Sequence, residues 1–229
     1  MRERVMAGST DDGPIPGAVI VIAKTPLPGR VKTRLSPPLT PDQACAVAWA
    51  CLTDTLVSAA RVRSRRHVLL LDGEVGPWVP DGFEVVPQRG IGLAERLAAG
   101  FTDVDDTAIV IAMDTPHVDV DVLAAALRAL SVDYDSVIGP ATDGGYWLLG
   151  LRAGISPAAV FAGVPMSVDT TGAAQRERLD ALGLSTLTVG ELRDVDTVDD
   201  VFAIAAQHPH LRLGRLVRSL NEARSGRTS

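Results

Sequence analysis

Six consecutive apolar residues, Ala18 to Ala23, four of them β-branched, run directly into the loop Lys24-Thr25-Pro26-Leu27-Pro28-Gly29-Arg30-Val31-Lys32-Thr33-Arg34-Leu35. A run without polar alternation fits a strand buried on both faces, the condition of a central strand in a parallel sheet covered by helices. The loop leaving the carboxyl end of such a strand lies where open α/β sheets receive their ligands. Of the 22 Lys and Arg residues only two are Lys, and both, Lys24 and Lys32, fall in this loop. Lysine is a compact point charge suited to phosphate, and Arg30 and Arg34 add planar forks for bidentate contacts. The stretch Ala23, Lys24, Pro28, Gly29, Arg30, Lys32 and Arg34 therefore reads as a nucleotide-phosphate cradle.

The rest of the chain alternates short apolar runs with helical patterns. Thr40 followed by Pro41 predicts a helix start, with an apolar stripe carrying the helix to about Ala60. Further strands are predicted at His67 to Leu71, Phe83 to Val86, Thr107 to Met113, Ser136 to Pro140 and Ser185 to Val189. Helices are predicted from the glycine-loosened turn at Gln88 to about Phe101, over Asp119 to Leu130, near Ala173 to Leu182, over Val201 to Ala206, and as a basic, Leu-bearing terminus ending near Ala223. Residues 1–16 have no hydrophobic period and read as a flexible lead-in, 17–223 as a single α/β domain, and 224–229 as a flexible tail.

Composition narrows the partners. The formal charge of −6, with 22% charged and 46% hydrophobic residues, is that of an ordinary globular chain and argues against nucleic acid, which calls for a basic face. Cys45 and Cys51, six apart on one predicted helix, are too far apart for a disulfide and read as reduced core residues. The opening residues lack the apolar core of a signal sequence and no run approaches a membrane span, so a cytoplasmic protein without a membrane partner is expected.

Candidate chemistry sits at strand ends. Asp114, closing the strand Thr107 to Met113, is aimed by Pro116 and is a candidate ligand for Mg²⁺ or Mn²⁺; it precedes the next helix by too much to cap it. Asp143, in the Asp143-Gly144-Gly145-Tyr146 turn, is a candidate second carboxylate, and Tyr146 offers a flat face for a sugar or base. Thr197 with Asp200 resembles a capping box that would make the acids around it a helix start, and Asp194 or Asp196 is a further candidate to join the metal. Gln88 is placed to bond a nucleobase, with Gly92 and Leu93 letting backbone approach the nucleotide. His117, Gly144, Gly145 and Ser167 complete the candidate substrate contacts.

With these residues in view, the chain resembles the bacterial nucleotide-diphospho-sugar transferase family of glycosyltransferases, some of whose members are associated with arsenosugar biosynthesis. The resemblance rests on Ala23 to Leu35, Asp114-Thr115-Pro116, Gly139-Pro140 with Asp143 to Tyr146, and Asp194-Val195-Asp196-Thr197. More distantly, Val31 to Leu35 is similar to a run in the guanylyltransferase that activates phospholactate. The resemblance implies a GT-A or Rossmann-like three-layer sandwich with a mainly parallel mixed sheet. It also implies a divalent metal that binds a nucleotide diphosphate. The expected reaction is transfer of a sugar from a nucleotide-sugar to a small acceptor, with Lys32 and Arg34 stabilising the leaving diphosphate and Asp143 as base. The alternatives are transfer of a nucleotidyl group from an NTP to a phosphorylated acceptor and nucleotide binding without turnover. Oligomeric state is left open by the sequence.

Overall fold

A computed structural model of the chain describes residues 13–225. Its centre is a seven-stranded sheet of strands β1 (Ile15–Lys24), β2 (Ser64–Asp72), β3 (Phe83–Pro87), β4 (Ala108–Ala112), β5 (Ser136–Pro140), β6 (Tyr146–Leu151) and β7 (Thr186–Thr188). The strand order is β3-β2-β1-β4-β6-β5-β7. Only β6 runs against its neighbours: it pairs antiparallel with β4 and β5, whereas the other pairs are parallel. This is the mainly parallel mixed sheet expected. Chain order moves outward from β1 to β2 and β3 on one side, then returns to β4 on the other, which makes the carboxyl ends of β1 and β4 the switch point where such sheets bind ligands.

The helices are α1 (Pro41–Arg61), α2 (Gly92–Val104), α3 (Val120–Val132), α4 (Pro157–Phe161), α5 (Thr171–Ala181), α6 (Val198–Gln207) and α7 (Arg212–Ser225). Because side chains alternate along a strand, β1 feeds two separate cores. Val19 and Val21 pack with α1 and α3 through Leu52, Leu56, Leu123 and Leu127, whereas Ala18 and Ile20 pack with α2, α4 and α5 through Leu97, Phe101, Phe161 and Leu179. The uninterrupted apolar run of β1 is thus accounted for: both of its faces are covered.

A third, smaller core lies outside these layers. Leu35, Ala44, Val47 and Cys51 meet Val195, Val201, Ile204, Leu213 and Val217, so α6 and α7 pack on the outward side of α1. Thr40 starts α1 with a full capping box to Gln43, and Thr197 starts α6 with another to Asp200.

Three sequence expectations change in detail. Ile15 and Pro16, placed by the sequence in the lead-in, belong to β1, with Gly17 at φ +105° and Ala18 N–H donating to the Thr107 carbonyl. Residues 1–12 of the expected lead-in and 226–229 of the expected tail lie outside the described residues, and α7 continues through Ser225. Helix α1, at 21 residues and mean hydropathy 1.2, is long and apolar enough to cross a membrane by length and composition, but 61% of that stretch is buried within the protein. Its apolar character serves two cores at once. Cys45 and Cys51 are buried and free.

Candidate functional site

At the switch point the strand ends open into a cleft of about 1000 Å³. One wall is the loop after β1, the floor is the end of β4 at Asp114, and the far wall is the β5–β6 turn with the segment leading into α6.

The site is assembled by alternation. In Asp194-Val195-Asp196, Val195 is fully buried in the third core, and a period of two turns both flanking carboxylates to the other side, toward the cleft they line. Leu35 does the same for the β1 loop: its side chain is fully buried in that core and fixes the short 3₁₀ turn Thr33–Leu35 just after Lys32. The two segments are joined to β4 through the backbone, where Val195 N–H donates to the Asp114 carbonyl at 3.0 Å.

Lys32 stands at the centre. Its Nζ donates to Asp114 Oδ2 at 2.8 Å and to Asp196 Oδ1 at 2.9 Å, and its side chain is only 10% exposed. Burial acts to lower its pKa, but the carboxylates of Asp114 and Asp196 outweigh this and hold the ammonium above the usual lysine range. Lys32 adopts left-handed backbone angles, φ 47° and ψ 40°, uncommon for a residue with a side chain. Arg34 reaches Asp196 Oδ2 at 3.2 Å from a largely exposed position. Burial raises the Asp196 carboxyl, and the attraction of Lys32 reverses that, leaving it below its ordinary value.

Asp194 completes an acidic group. Ligand oxygens of Asp114, Asp194 and Asp196 lie within 4.8 Å of one another. Asp194 is pushed up to about 7 by burial first and then by the charges of Asp114, Asp143 and Asp196. Three hard carboxylate donors converging from two segments match the oxygen preference of Mg²⁺ and Mn²⁺.

The expected residues sort into two groups. Lys24, Arg30, Lys32, Arg34, Leu93, Asp114, Asp143, Gly145, Tyr146 and Ser167 all line the cleft. Ala23, Pro28, Gly29, Gln88, Gly92, His117 and Gly144 are not on its lining. Gln88 is spent elsewhere: its Nε2 donates to the carbonyls of Ala23 at 2.8 Å and Leu70 at 3.0 Å, and its Oε1 accepts from Arg96, so it ties strand ends together. His117 packs against His208, ring centroids 5.0 Å apart, behind the cleft rather than in it. Gly144 acts through backbone, its carbonyl accepting from Gly172 N at 2.8 Å. Tyr146 OH contacts Met166 Sδ at 3.8 Å.

The ligand pair expected from the sequence is Asp114 and Asp143. Asp143 Oδ1 accepts from Gly145 N at 2.8 Å, the bond of a turn aspartate, and Asp143 stays outside the convergent group that Asp194 and Asp196 form with Asp114. Sequence reasoning passed over Arg193, which lines the cleft and pairs with Asp200 Oδ1 at 3.5 Å. The signal that was available for the two acids is the Asp-Val-Asp alternation, since an apolar residue between two acids at a strand-like spacing puts both acids on one side.

The mainly parallel three-layer α/β sheet is a fold that the chain shares with solved nucleotide-diphospho-sugar transferase and nucleotidyltransferase structures. The chain belongs to the DUF2064 family, described as an uncharacterized protein conserved in bacteria, whose pattern matches residues 45–168. Among solved structures it is similar to a protein of Desulfovibrio desulfuricans G20 named, provisionally, a nucleotide-diphospho-sugar transferase, with 26% identity, TM-score 0.81, and coverage of 90% of this chain and 95% of that one. It shares its fold with CMP:2-keto-3-deoxy-manno-octonic acid synthetase complexed with CTP, at 15% identity and TM-score 0.53 over 84% of this chain and 99% of that one. It also shares its fold with Rv0371C of Mycobacterium tuberculosis H37Rv in complex with manganese, at 19% identity and TM-score 0.51 over 83% and 98%. No curated protein matches in sequence.

Proposed function

We propose that the protein is a divalent-metal-dependent transferase that takes a sugar from a nucleotide-diphospho-sugar to a small acceptor. The observation that carries the reading is Lys32 held between Asp114 and Asp196 at the switch point, beside a third carboxylate and a loop of further cations. The D. desulfuricans protein, alike over nearly its whole length and named for nucleotide-diphospho-sugar transfer, supports the choice of donor.

Asp114, Asp194 and Asp196 would hold Mg²⁺ or Mn²⁺, whose chemistry when bound is to neutralise charge on the diphosphate of the donor. Lys24, Arg30 and Arg34 on the facing loop would bind the phosphates, and Lys32 and Arg34 would stabilise the charge that grows on the departing nucleoside diphosphate. Tyr146 and Leu93 provide apolar surface for the sugar or base. Asp143, anchored through one oxygen to Gly145 N, keeps its second oxygen for the proton of the acceptor hydroxyl. Ser167 and Arg193 stand on the acceptor side of the same cleft.

A second reading, transfer of a nucleotidyl group from an NTP with release of pyrophosphate, is favoured by one observation: four cations of the β1 loop line the cleft, more than a diphosphate alone demands. Incubation with nucleotide-sugars and with NTPs in Mn²⁺ separates the two by product. Release of a nucleoside diphosphate from one nucleotide-sugar supports glycosyl transfer, and pyrophosphate from an NTP supports the other. Failure of every nucleotide to be turned over or to bind contradicts both.

A further inference from the structure

Lys32 is doing two jobs that a bound ligand would divide between two groups. In a phosphate cradle its ammonium belongs on the ligand, yet here it bridges Asp114 and Asp196 at 2.8 and 2.9 Å, on two of the three carboxylates whose oxygens converge. The ammonium competes with a divalent ion for these two carboxylates, because it takes up one oxygen of each and the two cations repel each other at short range. The side chain is only 10% exposed, so water screens neither partner well. The backbone of Lys32 adds a constraint: at φ 47° it sits in the left-handed region, which is unfavourable for a residue with a Cβ and persists only where surrounding structure holds it. Leu35, three residues on and fully buried, is one part of that hold, and the two carboxylates are the other.

Replacement cations are near. Among the described residues Lys24 and Arg30 line the cleft with no ion pair of their own, whereas Lys32 is fully committed. Phosphate oxygens arriving on that loop offer the Lys32 ammonium a new anion at the moment a metal arrives for the old ones.

Resting on the transferase reading above, we propose that Lys32 is a placeholder for the divalent ion: the site takes its metal only together with a diphosphate-bearing ligand, which draws Lys32 off Asp114 and Asp196 and onto phosphate. Metal and diphosphate binding are then coupled, and the coupling passes through one side chain. Linkage makes this reciprocal, so the diphosphate also binds more tightly with the metal than without it.

The composition supplies a clean probe, since Lys24 and Lys32 are the only lysines in the chain. Protein labelled with ¹³C,¹⁵N-lysine gives two side-chain Cε/Nζ signals, assigned by a Lys32→Met variant, and is titrated with Mg²⁺ alone, inorganic pyrophosphate alone, and both together. The expected result is that the Lys32 signal holds its position in Mg²⁺ alone and moves when Mg²⁺ and pyrophosphate are present together. In parallel, Mn²⁺ binding followed by electron paramagnetic resonance is expected to be at least tenfold tighter in Lys32→Met than in the natural protein, because the competing ammonium is gone.

Two results overturn the placeholder role while leaving the metal site standing: Mg²⁺ alone moving the Lys32 signal as readily as Mg²⁺ with pyrophosphate, or Lys32→Met binding Mn²⁺ no more tightly. Mn²⁺ bound by neither protein overturns the metal site itself and the proposal with it. If Lys32→Met fails to fold, a Lys24→Arg variant assigns the two signals and the lysine titration of the natural protein decides alone.

Discussion

The backbone N–H of Val195 donates to the carbonyl of Asp114 at 3.0 Å, and this bond between residues far apart in the chain places Asp194 and Asp196 beside Asp114. Val195 itself is fully buried in the core formed by Leu35, α1, α6 and α7. Val195→Ala removes two buried methyls there and is expected to cost about 2 kcal/mol of stability. Mn²⁺ affinity in the presence of pyrophosphate should fall in the same variant while the fold persists. Denaturant titration and Mn²⁺ binding check the pair, and unchanged metal affinity contradicts the role given to this strand-like segment.

Besides the shared apolar core, a buried carboxylate of α1 holds the start of helix α7. Asp54 of α1, 4% exposed, accepts from Leu213 N at 3.2 Å and from Arg212 at 3.4 Å, so a residue of one helix caps the start of another. Burial raises the Asp54 carboxyl despite these bonds. Asp54→Ala should cost about 1–2 kcal/mol by leaving the first-turn amide of α7 without its partner. Asp54→Asn keeps an acceptor oxygen and sheds the buried charge, so its denaturation midpoint should lie well above that of the alanine variant. Equal midpoints would show that capping is not what Asp54 supplies.

His117 gives the acid side of the stability profile a particular shape. Burial, and then the neighbouring His208, depress its pKa to about 4, and its Nδ1 has no hydrogen-bond partner among the described residues. The unfolded chain takes up this proton near pH 6.5, whereas the native protein takes it up only near pH 4. The stability carried by the neutral ring is therefore complete above pH 6.5 and drains away as the pH falls toward 4. His117→Phe should lose less stability than the natural protein between pH 7 and pH 4.5. Identical losses over that interval contradict the assignment.

Gly144 cannot be replaced without moving the cleft. It has φ +88°, and a methyl on its α-carbon would overlap the carbonyl oxygen of Asp169. Gly144→Ala should displace the 167–171 segment, lower the melting temperature and weaken nucleotide binding, whereas Gly163→Ala, at φ +74° in open space, carries backbone strain without that overlap and should leave binding alone. Nucleotide titration of both variants distinguishes a local collision from general strain.

What the sequence made legible follows from how each feature is encoded. The strands from Ala18, His67, Thr107 and Ser136 were readable because strands covered on both faces leave apolar runs, and Thr40-Pro41 marked α1 through local capping chemistry. The cleft wall was readable for the same reason, since Lys24 to Arg34 leave β1 in one continuous loop. The carboxylate group was harder because it is nonlocal. Asp114 is set by β4, but its partners arrive from beyond β7, held by a core of α1, α6 and α7 that no short-range period reports. Asp143 looked equally good at a strand end, and its own turn takes up one of its oxygens. Gln88 illustrates the converse: a polar side chain after a strand is as useful for stitching carbonyls of Ala23 and Leu70 as for reading a base.

The central claim is that Asp114, Asp194 and Asp196 together hold a divalent ion when a nucleotide diphosphate lies on the Lys24–Arg34 loop. Anomalous scattering from crystals grown with Mn²⁺ and a nucleotide-sugar locates that ion directly. One strong manganese peak is expected within about 2.2 Å of oxygens from Asp114 and at least one of Asp194 and Asp196, with Lys32 withdrawn onto phosphate. A nucleotide bound in the cleft with no peak on these carboxylates, or with the ion on Asp143 alone, contradicts it.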